Sequence, residues 1–329
     1  MQKTFRKRDR RSFVRQIFAV TALLTTAFCH GESTAEFQKT FVVTNAEPVR
    51  LVVDVTNATV EIVYSRDGEV SINATAPAKG GSRVDENYFL LALSTNQSGN
   101  NITVKQAPSV AYLEENIKFR LRVEVPYRTE IKSALAEGKL VVRGVTGPVD
   151  AKAGKADVDI SYVSSSVRVD ARQGNLDFQM VGDRVEAQTA SGNISGERLL
   201  KGIHAETGDG DIKLMVVGPS EATVRTGAGR VEIGGARDTL AATTDAGEVH
   251  LQAVPHNDWR LFSKSGSIRM ELPEAPGFAL EASTESGMLQ FERDDLPKLS
   301  PDVHHIAEKI AGGGKKIVAH SESGNISIR

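Results

Sequence analysis

The chain is poor in cysteine and in aromatic residues. Of its 329 residues one is cysteine, Cys29, one is tryptophan, and aromatic residues make up 5%. A single cysteine excludes an intramolecular disulfide and any zinc site built on several cysteines. The fold must therefore be held together by packing and by backbone hydrogen bonds.

Beyond residue 29 the chain also lacks clusters of basic residues. Residues 1–29 hold seven of the 40 Lys and Arg and one of the 42 Asp and Glu, so the remainder carries a net charge of about −8. Proteins that bind nucleic acid draw their affinity from clustered Lys and Arg. This charge pattern argues against nucleic acid as a partner.

Residues 1–29 are predicted to be a signal peptide. A basic start precedes the apolar stretch Ile17 to Phe28, which is too short to anchor the chain across a bilayer. Arg10 and Arg11, followed by Ser-Phe-Val-Arg, resemble a twin-arginine export signal, and an ordinary basic signal is the alternative. We expect an extracytoplasmic protein, in the periplasm, at the cell surface or secreted, whose mature chain starts near His30.

Cys29 leaves a lipoprotein signal as a further alternative. Phe28 occupies the position where such a signal has Gly, Ala or Ser, which disfavours lipidation. No later segment is apolar enough to cross a membrane, so the mature chain is predicted to have no transmembrane segment.

A short motif recurs through the second half of the chain. It consists of Thr or Ser, two variable residues, Gly, one variable residue and an aliphatic residue, as in Thr189-Ala-Ser-Gly-Asn-Ile. Most motif glycines are 18 or 19 residues apart, and the last interval is 37, about two periods. Repeats of this length indicate a solenoid. The predicted structural turn glycines are Gly174, Gly192, Gly210, Gly229, Gly247, Gly266, Gly287 and Gly324.

Apolar and polar residues alternate around each of these glycines. In the repeat of Gly229, for example, the apolar positions are Ala222, Val224, Val231 and Ile233. Alternation with a period of two predicts strands with one buried side. A coil of about 19 residues cannot bury that side alone, so stacked coils with glycine at the corners predict an all-β fold, a right-handed parallel β-helix or β-solenoid.

The pattern before residue 130 is less regular. Strand-like runs are separated by turn-rich segments such as 78–82 and 96–101. They form either an antiparallel cap that protects the first coil from edge-to-edge association or irregular coils with insertions, and we expect a mixture. The predicted domains are an N-terminal β-rich cap at 37–130 and a β-solenoid at 131–329 with an insertion at 292–316.

Three features carry a resemblance to a known family. They are the segment Val52–Ile62, the segment Leu121–Pro126 and the repeated Ser-Gly-Asn-Ile type of motif. Over roughly residues 47–329 the chain resembles the bacterial "putative adhesin" family, domains of unknown function built as β-helices. The resemblance implies an extracytoplasmic location and an adhesive or envelope role. That family has no agreed catalytic residues, so none is carried over, and the 292–316 insertion departs from its pattern.

Few residues suggest catalysis or metal binding. Asp209 and Asp211 flank Gly210 and could grip a cation, but neighbouring repeats do not continue the acidic pair, which favours a turn role. The column of Thr and Ser from Thr189 to Ser321 shares the parity of the buried columns. We therefore expect stacked hydroxyls that satisfy one another rather than nucleophiles.

The remaining candidates also favour structural roles. His304 and His305, near Asp302 and Glu308, suggest a metal site, but neighbours on a strand point to opposite faces, and we expect a surface loop. Trp259 lies in a buried column, so a core role is favoured over sugar stacking. Gly312-Gly-Gly314 lacks the Lys-Ser/Thr sequel of a phosphate loop and is predicted to be a flexible joint. We predict no catalytic, cofactor-binding or metal-binding residue and no cofactor.

The predicted function is that of an exported, non-enzymatic cell-envelope module, with an adhesin-like binding or structural role and an unknown envelope protein or glycan as partner. Lys213, Glu232, His250 and Arg269 are predicted to form an outward stripe. One alternative is a carbohydrate-active enzyme, a polysaccharide lyase or hydrolase on the same scaffold, which needs several acids on one face. Another is an envelope-stress signalling accessory.

Overall fold

The fold is seen in a computed structural model that describes residues 34–44, 46–77, 92–107, 118–216, 221–236, 238–293, 296–300 and 302–329. All regular elements in these ranges are strands, and most of their pairings are parallel. The chain is therefore an all-β solenoid. The predicted signal peptide, with Arg10, Arg11 and Cys29, lies outside the described residues.

The strands divide into an irregular first group and a regular second group. The first contains β1 (Thr34–Val42), β2 (Val49–Tyr64), β3 (Glu69–Pro77), β4 (Leu93–Ser98), β5 (Asn101–Gln106) and β6 (Phe119–Val125). Two long strands follow, β7 (Thr129–Arg143) and β8 (Val149–Val163). The later coils have two shorter strands each: β9 (Val167–Gln173), β10 (Leu176–Val181), β11 (Val185–Ser191), β12 (Ile194–Leu199), β13 (Ile203–Asp209), β14 (Ile212–Val216), β15 (Ala222–Ala228), β16 (Val231–Gly234), β17 (Leu240–Ala246), β18 (Val249–Gln252), β19 (Trp259–Ser263), β20 (Ile268–Glu271), β21 (Phe278–Thr284) and β22 (Leu289–Phe291). The chain ends with β23 (His305–Ile310), β24 (Lys315–Ser321) and β25 (Ile326–Ile328).

Each regular coil contributes one strand to each of two parallel ladders. In the first face, β11 pairs with β9 and β13, so that Val185 lies opposite Val167 and Ile203. In the second face, β12 pairs with β10 and β14, so that Ile194 lies opposite Leu176 and Ile212. Equivalent positions of neighbouring coils therefore form straight columns along the stack.

The inward columns of both faces form one hydrophobic core. Its largest fully buried side chain is Trp259, which confirms the core position predicted from its column. Burial of a Val, Leu, Ile or Phe side chain stabilises the folded state by roughly 1.5–3 kcal/mol, and the columns repeat this contribution on each coil. The core is thus continuous along the stack.

At the N-terminal end, the order of the coils in space departs from their order in sequence. The first half of β2 pairs with both β5 and β7, and the second half pairs with both β6 and β7. Outside this coil, β4 pairs antiparallel with β5, β3 with β6, and β1 with β3. This end combines an irregular parallel coil with antiparallel cap strands.

At the C-terminal end, too, the order of the coils in space departs from their order in sequence. Ile317 of β24 lies opposite Trp259 on one side and Leu280 on the other, and Ile326 of β25 lies between Ile268 and Leu289. The last coil of the sequence is therefore the penultimate coil in space. Part of the 292–316 segment forms β23, which pairs antiparallel with the outer side of β21.

Candidate functional surfaces

The motif glycines stack on one another at one corner of the solenoid. A Cβ atom on Gly229 would lie 2.1 Å from the carbonyl oxygen of Gly210, and one on Gly247 would lie 1.9 Å from that of Gly229. Gly229 has a φ of 150°, a value that side chains disfavour. Gly266, Gly287 and Gly324 meet the same obstruction, with Cβ positions within 2.2 Å of a neighbouring glycine carbonyl. The corner therefore excludes a side chain by contact at each of these glycines, and at Gly229 by dihedral angle as well.

The Thr/Ser column supports this corner. Thr226 is buried, and its Oγ1 donates a hydrogen bond of 2.8 Å to the carbonyl oxygen of Gly210 in the neighbouring coil. Thr207 does the same to Gly192 at 2.9 Å. The expectation that these hydroxyls satisfy one another is wrong, because each reaches a glycine carbonyl instead. The column is a structural element of the corner.

The position after the corner glycine forms a second polar ladder. Oδ1 of Asn193 accepts a 2.9 Å hydrogen bond from the backbone N–H of Asp211, and Oδ1 of Asp211 accepts one of 2.7 Å from that of Arg230. Asp211 is therefore bound to the backbone of the next coil. Asp209 and Asp211 are not joined by a third ligand, since no group of three or more His, Cys, Asp or Glu suited to a metal ion occurs in the described ranges.

Of the two histidines of the C-terminal segment, His305 lies on a strand rather than in the surface loop that we expected, and His304 immediately precedes that strand. His305 begins β23 and lies opposite Ser283, and Nδ1 of His304 lies 3.0 Å from the carbonyl oxygen of Gly287. A pair that the sequence did not reveal lies beside them: Oγ of Ser283 is 2.8 Å from Nδ1 of His320. Among the described residues no carboxylate binds the other nitrogen of His320, so this pair lacks the third member of a hydrolytic triad.

The predicted outward stripe does form on the second face. Lys213, Glu232, His250 and Arg269 occupy opposing positions on β14, β16, β18 and β20. Lys213 Nζ lies 2.9 Å from Glu232 Oε1, and His250 Nε2 lies 3.0 Å from Glu271 Oε1. Hydrogen bonds from Arg329 and then from His250 lower the pKa of Glu271. The stripe is thus a row of polar and charged groups that already bond to partners on neighbouring coils.

Two carboxylates stack on the same face near its middle. Asp159 of β8 lies opposite Asp177 of β10. Partial desolvation, followed by repulsion from Asp159, raises the pKa of Asp177 above its ordinary value, while a hydrogen bond with Ser195 opposes the shift. Arg143 pairs with Asp159 at 3.3 Å. A pair of neighbouring acids on one face is a feature of glycoside-cleaving sites, and neither of these two positions was singled out from the sequence.

A family model matches most of this solenoid. The model described as Toastrack DUF4097 covers residues 49–329, which include both end coils and all the regular coils. The chain belongs to the Toastrack DUF4097 family. This confirms the predicted resemblance to a β-solenoid domain of unknown function. No curated protein matches the sequence.

Solved structures resemble this Toastrack domain at low identity. One, from Parabacteroides distasonis ATCC 8503 and provisionally named an adhesin, is 11% identical, covers 89% of this chain and 97% of its own, and has a TM-score of 0.41. Another, from Bacteroides fragilis NCTC 9343 and also provisionally named an adhesin, is 9% identical, with coverages of 89% and 97% and a TM-score of 0.35. A third, from Parabacteroides distasonis ATCC 8503 and provisionally named a lipid-binding protein, is 11% identical, with coverages of 88% and 96% and a TM-score of 0.40.

The exposed apolar residues of the Toastrack domain are few and unevenly placed. Over the described residues, the large hydrophobic side chains that remain exposed are Val42, Tyr64, Tyr127, Tyr162, Met180, Leu200, Met215 and Met288. All except Met288 lie at one edge of the stack, opposite the corner glycines. Within the described ranges, no helix is long and apolar enough to cross a membrane.

Proposed function

We propose that this Toastrack domain is an exported, non-enzymatic binding module of the cell envelope. The observation that carries the proposal is the straight outward stripe of Lys213, Glu232, His250 and Arg269, one residue per coil. We further propose a right-handed β-helix with rungs of about 19 residues, which presents such columns at a spacing of roughly 4.8 Å. The partner is an envelope protein or a glycan.

The chemistry of the stripe suits a partner that is itself repetitive or extended. Its charges are exposed or half-buried, and ion pairs of this kind contribute little to folding, about 0–1 kcal/mol each. A partner can therefore replace them without unfolding the module. The core and the corner ladders keep the columns straight while the surface groups change partners.

Export is supported by the sequence of residues 1–29. The basic start with Arg10 and Arg11 and the short apolar stretch suit a cleaved signal. We expect N-terminal sequencing of the envelope-localised protein to place the mature start near His30. An intact Met1 on that material would contradict export by a cleaved signal.

The stripe is tested by changing Lys213, Glu232, His250 and Arg269 to Ala together. The immobilised domain is exposed to envelope extract, and bound protein is identified by mass spectrometry and bound glycan by sugar analysis. A matched control changes Thr223, Arg225, Thr243 and Arg260 to Ala, since these outward residues occupy three successive coils of the first face. We expect the stripe variant to lose capture and the control to retain it, with both folded. Retained capture by the folded stripe variant would place the site on the first face, the cap or residues 292–316.

A second candidate function is cleavage of a polysaccharide. The stacking of Asp177 on Asp159 favours it, because two neighbouring carboxyl groups, one of them with a raised pKa, are a feature of glycoside hydrolases. A panel of envelope polysaccharides, assayed for new reducing ends, tests it. Activity that is lost in both Asp159→Asn and Asp177→Asn would make the domain an enzyme.

A further inference from the structure

Seven exposed apolar side chains share one edge of the solenoid, which we call the apolar edge. Tyr64 ends β2, Tyr127 follows β6, and their rings meet edge to face at 5.6 Å between centroids. Val42 joins them because β1 ends opposite Glu69, at the same end of the second face. The apolar edge consists of Val42, Tyr64, Tyr127, Tyr162, Met180, Leu200 and Met215, each at least 39% exposed.

Backbone strain holds part of this edge in place. Tyr162, Met180 and Arg198 have φ values of 56°, 53° and 57°, and they occur at one bulge position, because the residues on either side of them pair in register. A left-handed conformation costs a residue other than glycine about 1 kcal/mol or more. Gly144 lies 18 residues before Tyr162, at the equivalent position of the preceding coil, and has a φ of 77°. Glycine, which adopts this conformation without strain, therefore does occur at the bulge position. Large side chains at this cost indicate a role outside the core.

The turns of this edge differ in charge from the rest of the chain. Segments 64–69, 126–128, 143–148, 162–166, 180–184 and 197–202, together with Glu47 and Glu221 in the turns that follow Val42 and Met215, hold six basic and six acidic residues, whereas the chain beyond residue 29 is acidic. Arg66 and Arg128 flank the two tyrosines, are exposed, and form no ion pair with any described residue. Arg66 and Arg128 therefore place positive charge directly beside the two tyrosines, which complements an anionic surface.

We propose that the apolar edge lies on the surface of an anionic lipid bilayer. Tyrosine rings with a polar end suit the headgroup region, and arginines beside them suit anionic headgroups. Neighbouring coils pair in register up to this edge, so its residues from several coils lie along one side of the stack. The edge projects outward, and the hollow of about 600 Å³ on the first face, beside Lys152 and Asp170, lies away from it. An exposed apolar ridge suits a soft planar surface better than a small ligand, which needs a concave site.

This surface is separate from the stripe on which the proposed function rests, so the two tests fail or succeed independently. Purified domain is sedimented with vesicles of phosphatidylcholine alone or mixed with phosphatidylglycerol. We expect binding to the mixed vesicles that falls as salt is raised. The triple variant Tyr64→Asn, Tyr162→Asn and Met180→Asn should bind the mixed vesicles at least about tenfold more weakly. Asparagine is chosen because it tolerates the left-handed backbone of Tyr162 and Met180.

Two further variants make the test specific. Met288→Asn removes the exposed apolar side chain of the opposite edge and should leave vesicle binding within about twofold. Arg66→Gln with Arg128→Gln should reduce binding to the mixed vesicles and flatten its salt dependence. Absence of binding by the unaltered domain, or an equal loss in Met288→Asn, would overturn the proposal. So would a dimer of the unaltered domain, seen by analytical ultracentrifugation without lipid, that the triple variant splits, since a second copy would then cover the edge.

Discussion

Trp259 and Ile317 lie opposite each other on the parallel strands β19 and β24, although 58 residues separate them in the sequence. Ile317 also contacts the far coil, opposite Leu280. Ile317→Ala should lower the free energy of unfolding by about 2–5 kcal/mol, because buried methyl groups are lost between two packed coils. Urea denaturation measures it. Val318→Ala, on the outward side of the same strand, should cost less than about 1 kcal/mol; equal losses would contradict the insertion of β24 between the coils.

The glycine corner predicts a steric effect that can be separated from backbone strain. Gly229→Ala should destabilise the domain by about 1–3 kcal/mol, because its Cβ would meet the carbonyl oxygen of Gly210. Gly99 also has a positive φ, 59°, but a Cβ atom added to it would have no neighbouring atom within 4 Å. Gly99→Ala should therefore cost only the dihedral strain, about 1 kcal/mol. Thermal melting of both variants checks the difference, and similar melting temperatures would argue against contact as the cause.

The hydroxyl column predicts a cost for an isosteric change. Thr226→Val keeps the shape of the buried side chain but leaves the carbonyl oxygen of Gly210 without this donor. An unsatisfied buried acceptor costs about 1–3 kcal/mol. Thr223→Val, on the outward side of the same strand, is the control and should be nearly neutral. Chemical denaturation compares the two, and a neutral Thr226→Val would show that water or another donor replaces the hydroxyl.

The raised pKa of Asp177 predicts that the stability of the domain depends on pH. Asp177 has this raised pKa in the folded state, so its charged form is disfavoured there relative to the unfolded chain, and this penalty is present above the folded pKa. Asp177→Asn should therefore stabilise the domain at neutral pH, by less than about 1 kcal/mol because the group is largely solvated. The gain should disappear as the pH falls to the ordinary pKa of aspartate and below. Melting curves at neutral and acidic pH measure it, and a pH-independent gain would point to packing instead.

The coil pattern could be read from the sequence because each buried column repeats with one parity. Ala187 and Ala205, for example, stand five residues before their glycines and face each other across β11 and β13. The order of the end coils could not be read in this way. Ser263 and Ser321 begin near-identical motifs, so the coil of either one could pair with any neighbouring coil. Local periodicity therefore does not determine which coils are neighbours. Contacts outside the motif distinguish them, such as the 2.9 Å hydrogen bond from Lys316 N–H to Asp258 Oδ1.

The surfaces were harder to predict than the core. Tyr162 and Met180 occupy a bulge, where one extra residue breaks the alternation from which orientation was inferred. The stacking of Asp159 on Asp177 depends on pairing between coils, which a single repeat does not display. Ser283 and His320 meet only because β24 returns beside β21. Each of these features arises from register between distant strands rather than from local composition.

The first and the last coil of the sequence each lie between coils from other parts of the chain. This arrangement affects how such solenoids change length over evolution. A coil added beyond β2 or β25 would separate strands that now close the stack. A unit of 18 or 19 residues duplicated between β9 and β18 would instead insert between equivalent ladders, with the same glycine, hydroxyl and apolar columns above and below it. Relatives of different length should therefore gain and lose coils in the middle of the rod while both ends keep their interleaved strands.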